Sequence, residues 1–219
     1  MRCIDHSPFF CSWSGGKDAC LAYYHAVQAG GKPCCLFTML SEDGERSRAH
    51  ALPLRILESQ ASSLGVSMVV GSAAWGGYEK VFVDQLWKFK EEGIEFGVFG
   101  DIDLEGHREW QEKVCATAGM KAYLPLWGRS RREIVAELVD LGFQAVIVAV
   151  DEEKMDRGYL GRVMDRPLMD ELESNGIDVA GENGEYHTVI TGGPLFQNPI
   201  ALDVKGLKSH ENYCFLHID

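Results

Sequence analysis

The sequence predicts an α/β protein built on a doubly wound, largely parallel sheet, with a smaller α/β lobe towards its C-terminal end. Three observations predict it. Short apolar runs alternate with stretches of helical periodicity through the first half of the chain. The runs are continuously apolar rather than alternating, as in parallel strands covered on both faces. Three polar, glycine-containing segments (Ser12 to Asp18, Ser72 to Gly77 and Asp101 to Arg108) follow strands, and such sheets bind ligands beyond the carboxyl ends of their strands.

Phe9-Phe10-Cys11 reads as a buried strand that turns through Ser12-Trp13-Ser14-Gly15-Gly16 into a helix from about Asp18 to Ala29. After a turn at Gly30-Gly31-Lys32-Pro33, Cys34 to Leu40 forms the second strand. A polar loop, Ser41 to Ser47, leads to a helix from about Arg48 to Leu64, with Pro53 near its first turn and Gly65 ending it. Val66 to Gly71 is the third strand. The helix Tyr78 to Glu92 carries Val81, Phe82, Leu86 and Phe89 on one stripe. Glu95 to Gly100 is the fourth strand, His107 to Ala118 a helix, and Ala122-Tyr123-Leu124 a short fifth strand. A soft boundary near Leu126 to Ser130 divides the chain into residues 1–128 and a smaller lobe of residues 129–219. In that lobe Ser130 is placed to cap a helix from Arg131 to Leu141, with Glu133 for a reciprocal cap. Ala145 to Val150 is a β-branched strand, Asp151 to Gly161 a charged passage, and Pro167 to Asn175 a helix. Ile200 to Val204 and Tyr213 to Ile218 read as terminal strands.

The composition narrows the function classes. A chain of 219 residues, 46% hydrophobic, can bury a substantial core. No apolar run approaches the roughly 20 residues of a membrane span, and no basic-then-apolar leader opens the sequence. A net charge of -12 argues against a general nucleic-acid surface. The seven cysteines form no Cys-x-x-Cys pair and lie mostly in apolar patterns. They read as reduced core residues of a cytoplasmic protein.

The chemistry concentrates in two places. A strand that enters a glycine-rich turn and opens a helix suits an anion, because backbone N–H groups and the positive helix end converge there. Ser14 can add a hydroxyl and Lys17 an ammonium. A lysine at a helix start is otherwise disfavoured by the helix dipole. Asp101 and Asp103, just after the fourth strand, can hold magnesium through its water shell, bind ribose, or simply solvate a loop. Arg108 at the next helix start can neutralise a leaving pyrophosphate, or else pair with Glu105 or Glu109. The second cluster is Gly181-Glu182-Asn183-Gly184-Glu185-Tyr186-His187-Thr188, followed by Gly193-Pro194-Leu195-Phe196. Its glutamates can carry magnesium, orient an amine or accept a proton, and His187 can bind a carboxylate or move a proton. Trp75 and Trp127, in glycine-rich settings, can wall a pocket or pack a core. Neither HExxH nor a G-x-S-x-G elbow occurs, which disfavours zinc hydrolysis and a nucleophilic serine.

Ser14-Gly15-Gly16-Lys17-Asp18 resembles the SGGKD loop of the ATP pyrophosphatase (PP-loop) superfamily, which includes asparagine synthetase and GMP synthetase. Gly100-Asp101-Ile102, His107-Arg108-x-Trp110, Pro125-Leu126-Trp127 and, above all, the GENGEYHT segment with Gly193-Pro194-Leu195-Phe196 resemble the compact form of the diphthine–ammonia ligase family. The likeness runs from about Cys11 to Phe196. Ala19 departs from it, where many relatives carry a serine.

The resemblance implies a Rossmann-like fold of the HUP/PP-loop type, with an ATP-binding domain at 1–128 and a substrate-binding lobe at 129–219. Ser12, Ser14, Gly15, Gly16, Lys17, Asp18, Gly100 and Asp101 would bind ATP, with Mg²⁺ on Asp18 and Asp101. Lys17, Arg108, Glu182, Glu185 and His187 would be catalytic. The reaction would adenylate the carboxylate of diphthine on translation elongation factor 2, release pyrophosphate and form the amide with free ammonium. Two alternatives stand beside it: a related AMP-forming enzyme acting on a tRNA base or small carboxylic acid, and a non-catalytic nucleotide sensor. A homodimer through the small lobe is open.

Overall fold

A computed structural model describes residues 4–47 and 50–218, with the backbone alone at Trp75. The readings that fall on Cys3, Arg48 and the Trp75 side chain lie outside the described residues.

The first half folds as β1 (Pro8–Ser12), α1 (Lys17–Gln28), β2 (Lys32–Leu40), α2 (Leu54–Leu64), β3 (Ser67–Ser72), α3 (Tyr78–Glu91), β4 (Phe96–Val98), α4 (Glu105–Thr117) and β5 (Lys121–Tyr123). All the pairings in this sheet are parallel, and its order is β3-β2-β1-β4-β5. The chain therefore runs outwards from β1 in one direction, then returns and runs outwards in the other. The order reverses between β1 and β4, and the crevice beyond the strand ends lies there.

Period-two alternation within β1 and β2 explains why both faces are covered. Phe10 and Phe37 join Phe82 and Phe89 of α3 and Phe99 in one buried group, with ring centroids 5.0–6.4 Å apart. Phe9, Cys11 and Leu36 point the other way, onto Cys20, Leu21, Ile56 and Leu57 of α1 and α2. Of the described cysteines, Cys11, Cys20, Cys35, Cys115 and Cys214 are buried free thiols, whereas Cys34 is exposed. Helix α2 begins at Leu54, later than its periodicity suggests. Short bridges Leu40↔Ser47 and Arg46↔Pro53 hold the preceding segment as a folded loop instead.

The second half contains α5 (Arg131–Asp140), β6 (Gln144–Asp151), α6 (Arg166–Ser174), β7 (Tyr186–Gly192), β8 (Val204–His210) and β9 (Tyr213–Ile218). Its four strands pair antiparallel in the order β7-β6-β9-β8. Ser130 does precede α5, but its side chain makes no capping hydrogen bond. Asp165 caps α6, accepting from the Leu168 amide at 2.7 Å. The penultimate strand lies at Val204–His210 rather than Ile200 to Val204. Every one of its residues is exposed, so pairing with β9, not an apolar pattern, defines it. No helix among the described residues is long and apolar enough to cross a membrane.

Strand β7 lies at an edge of its sheet, and its open side faces the glycine turn after β1. The Ile190 amide donates to the Gly15 carbonyl at 2.9 Å, and the Lys17 amide donates to Thr188 Oγ1 at 3.1 Å. An edge that would otherwise expose unpaired peptide groups is thus satisfied by the other half of the chain.

Candidate active site

Gly15 has φ +84°, a conformation that favours glycine, and a Cβ there would stand 2.7 Å from Leu57 Cδ2. This bend aims the turn so that α1 starts at Lys17, with Gly16 as a cap that has no side chain to offer. Thr188 serves instead, from more than 170 positions away, by accepting the Lys17 amide. Gln60 of α2, fully buried, holds the arrangement from below. Its amide donates to the Gly15 carbonyl at 2.9 Å and the Ile190 carbonyl at 2.8 Å, while its oxygen accepts from Trp13 Nε1 at 2.8 Å. Both carbonyls and the indole N–H are so satisfied inside the core.

Lys17, itself only 6% exposed, reaches Asp18 Oδ2 at 2.7 Å and Glu182 Oε1 at 3.7 Å, and lies over the Tyr186 ring at 5.8 Å. Burial works against its ammonium, but the Asp18 and Glu182 charges outweigh that and hold its pKa above the ordinary lysine value. Burial raises the Asp18 carboxyl despite the lysine beside it. Burial, opposed by Lys17, pushes Glu182 up to about 7. The second Asp18 oxygen, Oδ1, is buried without a hydrogen-bond partner among the described residues.

A cavity of about 330 Å³ opens over this group, and Ser12, Ser14, Lys17, Asp18, Gly100, Asp101, Glu182 and His187 all line it. Gly100 permits the packing of β4 against α1, because a Cβ there would stand 2.6 Å from the Asp18 backbone. A second cavity of about 510 Å³, walled by Phe37, Met39, Tyr78, Phe99 and Trp110, shares Ser12, Ser14, Asp101 and His107 with the first. Asp101 accepts from His107 Nδ1 at 2.8 Å and from Gln111 Nε2. A phosphorylated ligand with a flat apolar end fits such a pair of contiguous spaces.

Three sequence-stated candidates sit elsewhere. Arg108 pairs with Glu105 at 2.6 Å and Glu112 at 3.9 Å, and stacks on Trp127 at 4.8 Å. It lines a separate cavity near β5 and faces away from Lys17. The ion-pair alternative therefore describes its surroundings, although with Glu112 rather than Glu109. Glu185 is 6% exposed and accepts from the amides of Asp178 at 3.3 Å and Asn183 at 3.1 Å, so its carboxylate braces the loop that carries Glu182. Asp103 is engaged by the Arg131 guanidinium at 2.7 and 3.1 Å, which holds its carboxyl below the usual range.

Two family models match the chain: the diphthamide synthase N-terminal domain over residues 9–122 and the diphthamide synthase C-terminal domain over residues 130–219. The chain belongs to the diphthine–ammonia ligase family. It is 26% identical to the diphthine–ammonia ligase of Bos taurus over an alignment of 228 positions that covers 92% of this chain and 85% of that one. The human enzyme of that name matches to the same extent. The Schizosaccharomyces pombe enzyme is 25% identical over an alignment of 230 positions that covers 94% of this chain but 38% of its own length. As a member of this ligase family within the PP-loop ATP pyrophosphatases, the chain carries its two hallmark segments at opposite ends of the sequence and within 3.7 Å of each other in space.

The candidate site also contains residues that no motif reveals. Arg131 bridges Asp103 and Asp178, and Asp178 in turn accepts the Glu182 amide at 3.0 Å, so a salt-bridged chain fixes the GENGEYHT loop. His50, from the loop before α2, stacks on His187 with centroids 4.7 Å apart, and His187 lies at 5.8 Å from the Tyr213 ring. Burial lowers both imidazoles, His187 to about 4, so both are neutral near pH 7.

Proposed function

We propose that the protein is an ATP-dependent amide ligase that adenylates a protein-borne carboxylate, that of diphthine on translation elongation factor 2, and replaces AMP with ammonia. The single observation that carries this reading is the meeting of Lys17 and Glu182 at 3.7 Å in a cavity continuous with an apolar one. Adenosine takes the apolar space between Phe37, Met39 and Trp110. The phosphates pass the shared wall at Ser12 and Ser14, and the acceptor carboxylate enters beside Glu182 and His187.

The carboxylate oxygen attacks the α-phosphorus, and pyrophosphate leaves with the electron pair of the broken P–O bond. Lys17 and the start of α1 face that departing charge, where fixed positive groups act best. The residues present fit magnesium held through one or two carboxylates and substrate phosphates. Asp18, with its unpartnered buried oxygen, and Asp101 would hold it. Among the described residues no group of three or more metal-ligating side chains forms a cage, so the ion would arrive with the nucleotide. Bound there, it would neutralise phosphate charge. Glu182 then attracts ammonium by its charge, the ammonium gives up one proton to water in the cavity, and the ammonia so formed displaces AMP from the acyl carbon. Such a factor-modifying enzyme works in the cytoplasm.

The test combines purified protein, diphthine-bearing factor, ATP and ammonium. AMP, pyrophosphate and amide should accumulate in equal amounts. Release of ADP, or amide formation without AMP, would overturn the reading.

A further inference from the structure

His50 answers to no motif, yet the structure places it on the phosphate turn. A Cβ on Gly16 would stand 2.2 Å from His50 Cε1, so the imidazole occupies the space that the glycine leaves open. Its Nδ1 lies 2.9 Å from the Thr188 carbonyl. A carbonyl can only accept, so Nδ1 carries the ring proton and Nε2 carries the lone pair. The ring plane is fixed a second time by stacking on His187, whose ring in turn faces Tyr213 at 14°. His50 lines the same cavity as Lys17, Asp18 and Glu182. Its neutral state follows from burial first and then from His187 and Lys17, the charged or titratable groups that act on it.

We propose that Nε2 of His50 is the base that takes a proton from the attacking nitrogen in the amide-forming half of the reaction. This rests on the adenylating function proposed above. Ammonia forms the C–N bond with its lone pair, and the carbonyl π pair moves onto oxygen. The nitrogen, now bonded to carbon and positively charged, is far more acidic than free ammonium, and a neutral imidazole suffices to take one proton from it. The oxygen pair then re-forms the carbonyl as the acyl–oxygen bond breaks, and AMP leaves with that bond's electrons. The imidazolium, disfavoured beside the Lys17 ammonium, returns its proton to water at the cavity mouth. Glu182, 3.7 Å from Lys17, is left with the electrostatic task of attracting ammonium.

The test uses His50→Asn, which retains an N–H for the Thr188 carbonyl but lacks the outer nitrogen, and His50→Ala, which leaves an imidazole-sized hollow. Two rates are read in the presence of diphthine-bearing factor: ATP–pyrophosphate exchange, and amide formation at saturating ammonium. In His50→Asn, exchange should stay within about twofold of wild type while amide formation falls by about 10²–10⁴-fold, the usual span of general-base catalysis. Added imidazole should restore amide formation in His50→Ala in proportion to its concentration. Equal loss of both rates in both variants, with no rescue, would make His50 a structural residue and overturn the inference. Unimpaired amide formation in His50→Asn would overturn it alone. A wild-type protein that exchanges no pyrophosphate would overturn the functional reading and the inference together.

Discussion

Replacing Gln60 by leucine tests whether the phosphate turn and β7 are held from inside the core. The substitution keeps the approximate volume but deletes one acceptor and two donor contacts at a fully buried position. The Gly15 carbonyl still receives the Ile190 amide, whereas Trp13 Nε1 and the Ile190 carbonyl lose the bonds that Gln60 supplies. Each buried group left unsatisfied costs about 1–3 kcal/mol, so the pair costs about 2–6 kcal/mol. That is a large share of a stability on the order of 5–15 kcal/mol. With a urea slope of about 3 kcal/mol per molar, the top of the usual range, the midpoint should fall by about 0.7–2 M. Urea unfolding followed by Trp13-sensitive fluorescence and by circular dichroism measures this. A shift below about 0.3 M with unchanged slope would refute the claim that these bonds carry the junction. Pyrophosphate exchange in the folded variant should also slow, because the Gly15 peptide plane is no longer fixed from below.

The other expectations concern charge. Lys17→Ala should abolish detectable exchange, a loss of more than about 10²-fold, consistent with removal of a charge that faces the developing pyrophosphate; activity at the wild-type rate would remove Lys17 from the site. Arg108→Ala should leave exchange and amide formation within about twofold of wild type, since its partners are Glu105, Glu112 and Trp127 and not the main cavity; a tenfold loss would return it to the reaction. His187 has its folded pKa lowered to about 4, by burial and then by Lys17, from an ordinary value of 6.5. Its neutral form is favoured by folding, so its contribution is present above pH 6.5 and is lost as pH falls through about 4. His187→Phe should flatten that part of the stability–pH curve measured by denaturant titration. An unchanged curve between pH 6.5 and 4 would contradict the assignment.

Local patterns reveal most of the parallel sheet and several of the side chains that meet at the candidate site, and what they leave out shares a cause. Phe9-Phe10-Cys11 and Cys35 to Leu40 are largely apolar on both faces, so their burial is legible before any fold is known. Strand β7 mixes Tyr186, His187, Thr188, Thr191 and Gly192, and its polar members are explained only by what they touch across the molecule. Arg108 shows the limit of placing a residue at a helix start. Its neighbour His107 faces the cavity, but successive helical side chains diverge by about 100°, and that rotation turns Arg108 towards Trp127. Glu185 belongs to the same dense polar segment as Glu182, yet one carboxylate turns inwards to amides of its own loop and the other to Lys17. Gln60 and His50 left no signal because a single polar residue in a helix or loop has no period.

The stitching of β7 to the glycine turn has a consequence for how the proposed protein-borne carboxylate would get in. Hinge opening between the halves would have to tear the Ile190–Gly15 and Lys17–Thr188 bonds and strip Gln60 of the Ile190 carbonyl, dismantling the groove proposed to receive the nucleotide. Admission by a clamshell motion is therefore closed to this architecture. Under the proposed function the carboxylate would be threaded in from outside, on an arm slender enough to pass the rim and long enough to touch bottom, while the bulk of its carrier stays at the surface.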